Sequence, residues 1–314
     1  MSGQPLISIC IPAYKRTVDL GKLLDSIGQQ TFRNFEVIIT DDSPDDDVKI
    51  YLEGYRASFT LRYFKNPLAL GTPENWNEGI RMATGSWMKL MHDDDYFSNN
   101  ESLAGFVAAI AQHPQAQLFY SAFAFVDSER QTSEVMKCNW FDRFFINLSP
   151  YHLLRRNYFG NPSCTLVKKD VPFFYDKRFK YIVDFAYYIK LLLHRTRCVY
   201  VKEVLIHVGL NEGQVTHYTF KNKQVQVYEN HTFLEEMGTG ALKNLVAYDY
   251  FWRLYRNFSI RSVEEIREHY EGPLPKVLVD MIAFQKRLPA GWLNFGLMSK
   301  IAMLLSYCRS YLFG

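Results

Sequence analysis

Over the first 125 residues, five short runs rich in β-branched and aromatic residues alternate with stretches of helical period, and no other feature narrows the fold as far. Each run followed by an amphipathic helix predicts a βα unit, and successive units predict an α/β fold around a mixed, mainly parallel sheet. Leu6 to Ile11 is the first run. Asp19 is placed to cap a helix whose Leu20, Leu23, Leu24 and Ile27 share one face. The second run, residues 35–39, ends in the turn chemistry of Asp41-Asp42-Ser43-Pro44; a helix to about Tyr55 and a short strand over residues 61–64 follow. Gly71-Thr72-Pro73 opens another helix, Thr84-Gly85 closes it, and residues 86–91 form a fourth strand. Leu103, Phe106, Val107 and Ile110 make the next helical stripe, and residues 118–125 the fifth strand.

The fourth strand runs straight into His92-Asp93-Asp94-Asp95. Three consecutive carboxylates repel one another unless water or a cation neutralises them, and a divalent ion does so effectively. An isolated acidic triplet is most simply a hydrated turn. Its position at a strand's carboxyl end favours a ligand role, because open α/β sheets bind ligands in the crevice outside those ends.

Residues 126–160 show no clean period and read as a large loop or a partly helical insertion, an acceptor-binding region by position alone. Residues 164–168 suit a further strand, and Ile182, Phe185, Ile189, Leu192 and Leu193 suit a buried helix face. From about residue 220 helical signals dominate. The expected division is therefore a domain over 1–219, in halves 1–125 and 126–219, followed by a helical C-terminal extension over 220–314. The 48% hydrophobic content supports a substantial core, and 36 Lys+Arg against 33 Asp+Glu give no reason to expect a nucleic-acid partner. Cys10, Cys138, Cys164, Cys198 and Cys308 are scattered, odd in number and free of CxxC spacing, which suits a reducing, cytoplasmic setting. No secretory signal is read at the N-terminus, and no segment has the length and freedom from charge of a membrane span. The C-terminal apolar run with Lys300 and Arg309 suits a packed helix, a peripheral contact with an anionic membrane at its inner face, or a homo-oligomer interface.

Four ordered blocks carry a resemblance. Residues 9–14 (ICIPAY), 29–43 (QQTFRNFEVIITDDS), 75–80 (NWNEGI) and 83–88 (ATGSWM) resemble the signature of family 2 glycosyltransferases. The similarity covers the first 125 residues well, thins to about residue 217, and is not recognisable beyond. It implies a GT-A fold, with 1–125 as the half that binds a nucleotide sugar and 126–219 as the half that binds the acceptor. It also implies that Pro12, Ala13 and Tyr14 lie against the nucleotide base, with Asp41 on a base edge and Asp42 as its substitute one residue on. Asp93 would contact the ribose side of the donor, Asp94 would bind Mn²⁺ or Mg²⁺, and Asp95 would support them. Many family members carry an acid where this chain has His92, and a lone histidine at a strand end is more often structural, so His92 is left out of the ligand set.

An acceptor hydroxyl is a poor nucleophile at neutral pH and needs a base. Asp184, in a segment resembling the family's late acidic motif, is expected to be that general base in an inverting displacement, with Asp176 as competitor and a plain helix-terminal acid as the bland alternative. Asn211-Glu212-Gly213 resembles a segment where a histidine often precedes the Glu-Gly pair, which raises His207 or His217 as diphosphate or metal contacts. Arg33, Lys65 and Arg81 could reach phosphates, though hydrated surface charge explains each as well. The expected activity is transfer of a sugar, most simply from a UDP-sugar, to a hydroxyl of a saccharide or lipid-linked acceptor in polysaccharide biosynthesis. The rivals are a metal-dependent sugar nucleotidyltransferase, disfavoured because Pro12-Ala13-Tyr14-Lys15-Arg16 is not a Gly-rich phosphate loop, and a non-catalytic saccharide-binding descendant.

Overall fold

The computed structural model describes residues 4–127, 132–194, 196–210 and 219–311. They divide into two compact units, Met1–Phe144 with Asn157–Gln214, and Phe145–Arg156 with Val215–Gly314. The sequence boundary at 219/220 misses this interleaving. Residues 145–156 carry no period of their own, so only their contacts assign them to the second unit.

In the first unit the expected alternation is realised as β1 (Ile7–Ala13), α1 (Thr17–Gly28), β2 (Phe35–Asp41), α2 (Asp47–Gly54), β3 (Thr60–Lys65), α3 (Glu74–Met82), β4 (Trp87–Leu90), α4 (Ser102–Gln112) and β6 (Leu118–Asp127), with a short β5 (Tyr96–Phe97), absent from the sequence expectations, between β4 and α4. Then come β7 (Thr132–Met136), α5 (Trp140–Leu148), which crosses the boundary between the units at 144/145, β8 (Thr165–Lys168), α6 (Val183–Leu193) and β9 (Cys198–Gly209). The sheet order is β3-β2-β1-β4-β8-β6-β9-β5, with β7 on β6. The β1–β2, β1–β4, β2–β3 and β6–β9 ladders are parallel, and the β4–β8, β5–β9, β6–β7 and β6–β8 ladders are antiparallel.

Alternation along the strands decides what each face packs against. Ile7, Ile9, Ile11, Val37 and Ile39 join Leu20, Leu23, Leu24 and Ile27 of α1 in one core cluster. Cys10 points to the other face, where a Cβ on Gly79 of α3 would stand 3.3 Å from its Cβ. Asp19 does not cap α1: the N-cap is Arg16, and Asp19 sits in the first turn, where a negative charge still suits the helix terminus. β9, a twelve-residue strand between β6 and β5, is not among the sequence expectations. Lys202 and Glu203 interrupt its apolar alternation, and the β6–β9 register shifts beside them, between Ser121 and Phe123.

The second unit contains α7 (Lys223–Met237), α8 (Leu245–Asn257), α9 (Glu264–Arg267), α10 (Lys276–Lys286), α11 (Ala290–Asn294) and α12 (Gly296–Tyr311). Its core is built on Tyr248, Phe251, Trp252, Tyr255, Leu278, Met281 and Met303. No helix among the described residues is long and apolar enough to cross a membrane.

Candidate functional site

Register brings the expected residues to one edge of the sheet. Ala13 pairs with Asp41, Cys10 pairs with Leu90, and the Met91 N–H donates to Cys10 O, so β1, β2 and β4 release their following loops side by side. After Ala13 the chain turns tightly, with Lys15 in the left-handed region at φ 65° and its N–H on Ser43 Oγ. That turn sends Arg16 back over the acidic loop. Its guanidinium forks between Asp93 Oδ1 at 2.7 Å and Asp94 Oδ2 at 2.8 Å.

The three aspartates have different surroundings. Asp93 also accepts the Tyr14 N–H at 3.3 Å, and burial pushes its carboxyl up to about 7 although Arg16 pulls the other way. Asp95 is buried, accepting from Asn161 Nδ2 at 2.7 Å and the Gly209 N–H at 3.1 Å, and burial raises its pKa too. Gly209 lets β9 run against this loop, since a Cβ there would collide with the Asp94 carbonyl oxygen. Asp94 joins His92 and Asp95 in a group whose ligand atoms lie within 4.8 Å of one another.

This trio suits a hard divalent cation on two observations: two of its donors are carboxylates, and His92 Nε2 is buried with no hydrogen-bond partner. Burial holds the imidazole below its ordinary pKa, leaving it neutral and able to ligate. The sequence reading excluded His92. The structure places it in the trio, with its backbone N–H donating to Ser163 Oγ at 2.9 Å and its ring 4.8 Å from that of Trp76.

Asp41 is fully buried. Its carboxylate accepts the Ser43 N–H at 2.8 Å, Tyr63 Oη at 2.8 Å and Lys65 Nζ at 3.0 Å, which makes it an anchor beneath the edge instead of a surface offered to a base. Asp42 is likewise engaged, by Asn66 Nδ2 and the Leu70 and Gly71 N–H groups, and so holds the loop after β3. Tyr14 is the exposed member of the β1 end.

Asp184 lies in the first turn of α6, with Oδ1 accepting the Phe185 N–H and Oδ2 accepting Asn157 Nδ2, both at 2.8 Å. Burial raises its pKa to about 6. Asp176, its competitor, is held by the Arg178 guanidinium. Asn157 and Asn161 stand at the two ends of one short loop, so that loop ties Asp184 to Asp95. Between them Gly160 adopts φ 75°, and a Cβ there would come within 2.7 Å of Phe123 and 2.8 Å of Cys164.

Residues 8–171 match the sequence profile of Glycosyl transferase family 2. The chain belongs to this family. An uncharacterized glycosyltransferase of Haemophilus influenzae is 35% identical over 115 residues, 37% of this chain and 38% of that protein. The GalNAc(5)-diNAcBac-PP-undecaprenol beta-1,3-glucosyltransferase of Campylobacter jejuni is 31% identical over 110 residues, 34% of each chain. The matches thus span about a third of the length of these two curated relatives. S. aureus TarS 1-349, solved in complex with UDP-GlcNAc, superposes with a TM-score of 0.61 at 17% identity, covering 96% of this chain and 89% of that one. The mannosyltransferase PcManGT from Pyrobaculum calidifontis, in complex with GDP-Man and Mn²⁺, gives a TM-score of 0.50 at 15% identity over 98% of this chain and 87% of that one. These likenesses establish the fold, which is GT-A.

The family 2 signature blocks have structural work in this glycosyltransferase-family chain. Asn75 Nδ2 donates to Thr40 O at the end of β2, Trp76 packs on His92 and Tyr175, and Asn77 holds the Tyr175 backbone through both its amide atoms. Arg33, in the loop after α1, donates to Gly28 O at the end of that helix, and Arg81 pairs with Glu74 and Glu78 of its own helix α3. His207 lies on β9 with its ring 5.1 Å from that of Tyr96, and both line a cleft of about 610 Å³ that Asp94 borders, together with Ser26 and Asn99. Asn211-Glu212-Gly213 and His217 lie outside the described residues. Arg16, Asn157, Asn161 and Ser163 were not singled out from sequence. Only the family block beside Arg16 could have drawn attention to it; Asn157 falls in the stretch without periodic signal, and Asn161 and Ser163 in the short gap between it and the expected strand over 164–168.

Proposed function

We propose that the chain catalyses inverting transfer of a sugar from a nucleoside diphosphate sugar, most simply a UDP-sugar, to a hydroxyl of a saccharide or lipid-linked acceptor in glycan biosynthesis. The observation that carries this reading is the link from Asp184 through the 157–161 loop to Asp95. It joins a carboxylate with a raised pKa to a cation-suited trio at the carboxyl edge of the sheet. In this reading Asp184 accepts the proton of the acceptor hydroxyl while the hydroxyl oxygen forms a bond to the anomeric carbon. The bond from that carbon to the diphosphate breaks, and the diphosphate leaves with the electron pair. His92, Asp94 and Asp95 would hold Mn²⁺ or Mg²⁺, which supplies positive charge against the leaving diphosphate. Pro12, Ala13 and Tyr14 would lie against the nucleotide base and Asp93 would contact the ribose side of the donor, held in place by the Tyr14 N–H and Arg16. Asp41 and Asp42 shape that wall by anchoring Lys65 and the 66–71 loop.

The donor class is supported by the fold shared with TarS and PcManGT, and the acceptor class by the Campylobacter jejuni relative's lipid-linked substrate. Five free thiols suit a cytoplasmic setting. A peripheral membrane contact through α12 is supported by its exposed apolar stripe. Nucleoside diphosphates and their sugars, screened by thermal shift with Mn²⁺ and with EDTA, test the donor reading. UDP or a UDP-sugar should raise the melting temperature only with the cation. Release of pyrophosphate instead of nucleoside diphosphate would turn the reading to a nucleotidyltransferase.

A further inference from the structure

Arg16 is bound to the acidic loop in an unusual way. Its two terminal nitrogens reach two different carboxylates, Asp93 and Asp94, instead of clamping one. The exposure of the partners is uneven: the Arg16 side chain is 40% exposed, while those of Asp93 and Asp94 are 3% and 7% exposed. The guanidinium has water to move into and the carboxylates do not, so its departure leaves two buried negative charges uncompensated unless another cation takes its place. Asp94 is also the member of the ion pair that belongs to the His92–Asp94–Asp95 trio. One carboxylate thus faces two prospective cations, one of them covalently part of the chain. The left-handed turn at Lys15, held by Ser43, fixes where Arg16 starts from and makes its delivery to this carboxylate a property of the fold.

We infer that Arg16 competes with a divalent cation for Asp94 and thereby sets how tightly the acidic loop takes up that cation. Arg16 is then a positioning residue: it holds Asp94 in place and must yield part of that contact before the trio closes on an ion. Removing it takes away both the direct competitor and a repelling positive charge, so the loop should bind cation more tightly. A residue that merely supported the loop would have the opposite effect.

The inference rests on the metal reading proposed above, and one experiment separates the two. Mn²⁺ is titrated into the full chain without nucleotide, with free Mn²⁺ followed by electron paramagnetic resonance. Arg16→Gln should bind Mn²⁺ about tenfold more tightly than the unaltered protein, within the usual span of coupling between linked sites. Arg16→Lys keeps the charge but loses the fork, and should gain about threefold on the same scale. In EDTA, Arg16→Gln should melt at a lower temperature than the unaltered protein, and saturating Mn²⁺ should close that gap. Equal or weaker Mn²⁺ binding by Arg16→Gln overturns the inference and leaves the metal reading standing. If Arg16→Gln does not fold, the absence of any gain in Arg16→Lys overturns it. Absence of Mn²⁺ binding by every form overturns both.

Discussion

Asp184 is held between opposing influences: burial raises its pKa to about 6, while the Phe185 N–H at the helix terminus and Asn157 favour the ionised form. A base with that pKa is ionised at neutral pH and loses function in acid, so turnover should fall about tenfold per pH unit below 6. Asp184→Asn should lower turnover by about 10²–10⁴-fold while leaving the Mn²⁺-dependent thermal shift by UDP unchanged. A variant that kept full turnover would remove Asp184 from the base role. Stability should change in the opposite sense. Because the folded pKa lies above the ordinary value of 3.8, the native state holds its proton more firmly, a contribution complete below pH 3.8 and lost as pH rises through 6. Asn carries no such loss. Asp184→Asn should therefore gain on the unaltered protein between pH 4 and pH 7, by on the order of 1–2 kcal/mol once partial exposure is allowed for, as read by urea unfolding at the two pH values. At this scale the acidic triplet was legible, but the division of labour within it was not. Sequence spacing cannot tell which carboxylate turns toward Arg16 and which toward His92.

One element converts these residues into a site. The loop from Asn157 to Asn161 links the proposed base to the acidic loop, and it closes only because Gly160 accepts φ 75° in a space that Phe123 and Cys164 leave too small for a Cβ. Gly160→Ala should cost about 1–3 kcal/mol in urea unfolding and slow turnover together, since both asparagines move with it. Turnover and stability both unchanged would show that the loop is not a link. Helix α12 poses a different question. Ser299, Ala302, Met303 and Ser306 are buried, yet Leu297 at 65%, Leu305 at 59%, Ile301 and Leu304 stay exposed. Exposed Trp292 and Phe295 precede them, and the last 34 residues contain Lys286, Arg287, Lys300 and Arg309 but no carboxylate side chain. Lys300 is paired with Asp249, so Lys286, Arg287 and Arg309 carry the positive charge with which this apolar stripe fits an anionic lipid surface. Ile301→Glu with Leu305→Glu should weaken co-sedimentation with anionic vesicles about tenfold and leave the unit folded, since both side chains already face water. A change from dimer to monomer with vesicle binding intact would instead show that a second copy covers the stripe.

For the whole molecule, the donor screen joins both predictions about the site, because a nucleotide that stabilises the fold only with cation requires the β1 end and the acidic loop to act together. The βα order of residues 7–127 was legible because strand and helix periods are local and each element's apolar face is written in consecutive residues. So was the edge to which β4 carries the acidic loop, since parallel strands end together. The sequence by itself therefore determined the family, the α/β class and the carboxyl-end acidic loop. Only the tertiary structure placed β9 between β6 and β5, assigned residues 145–156 to the second unit, brought His92 into the trio and buried Asp41 as an anchor. It also delivered Arg16 to Asp94 and joined Asp95 to Asp184 through two asparagines. Those arrangements depend on contacts between residues tens of positions apart, with no period to announce them.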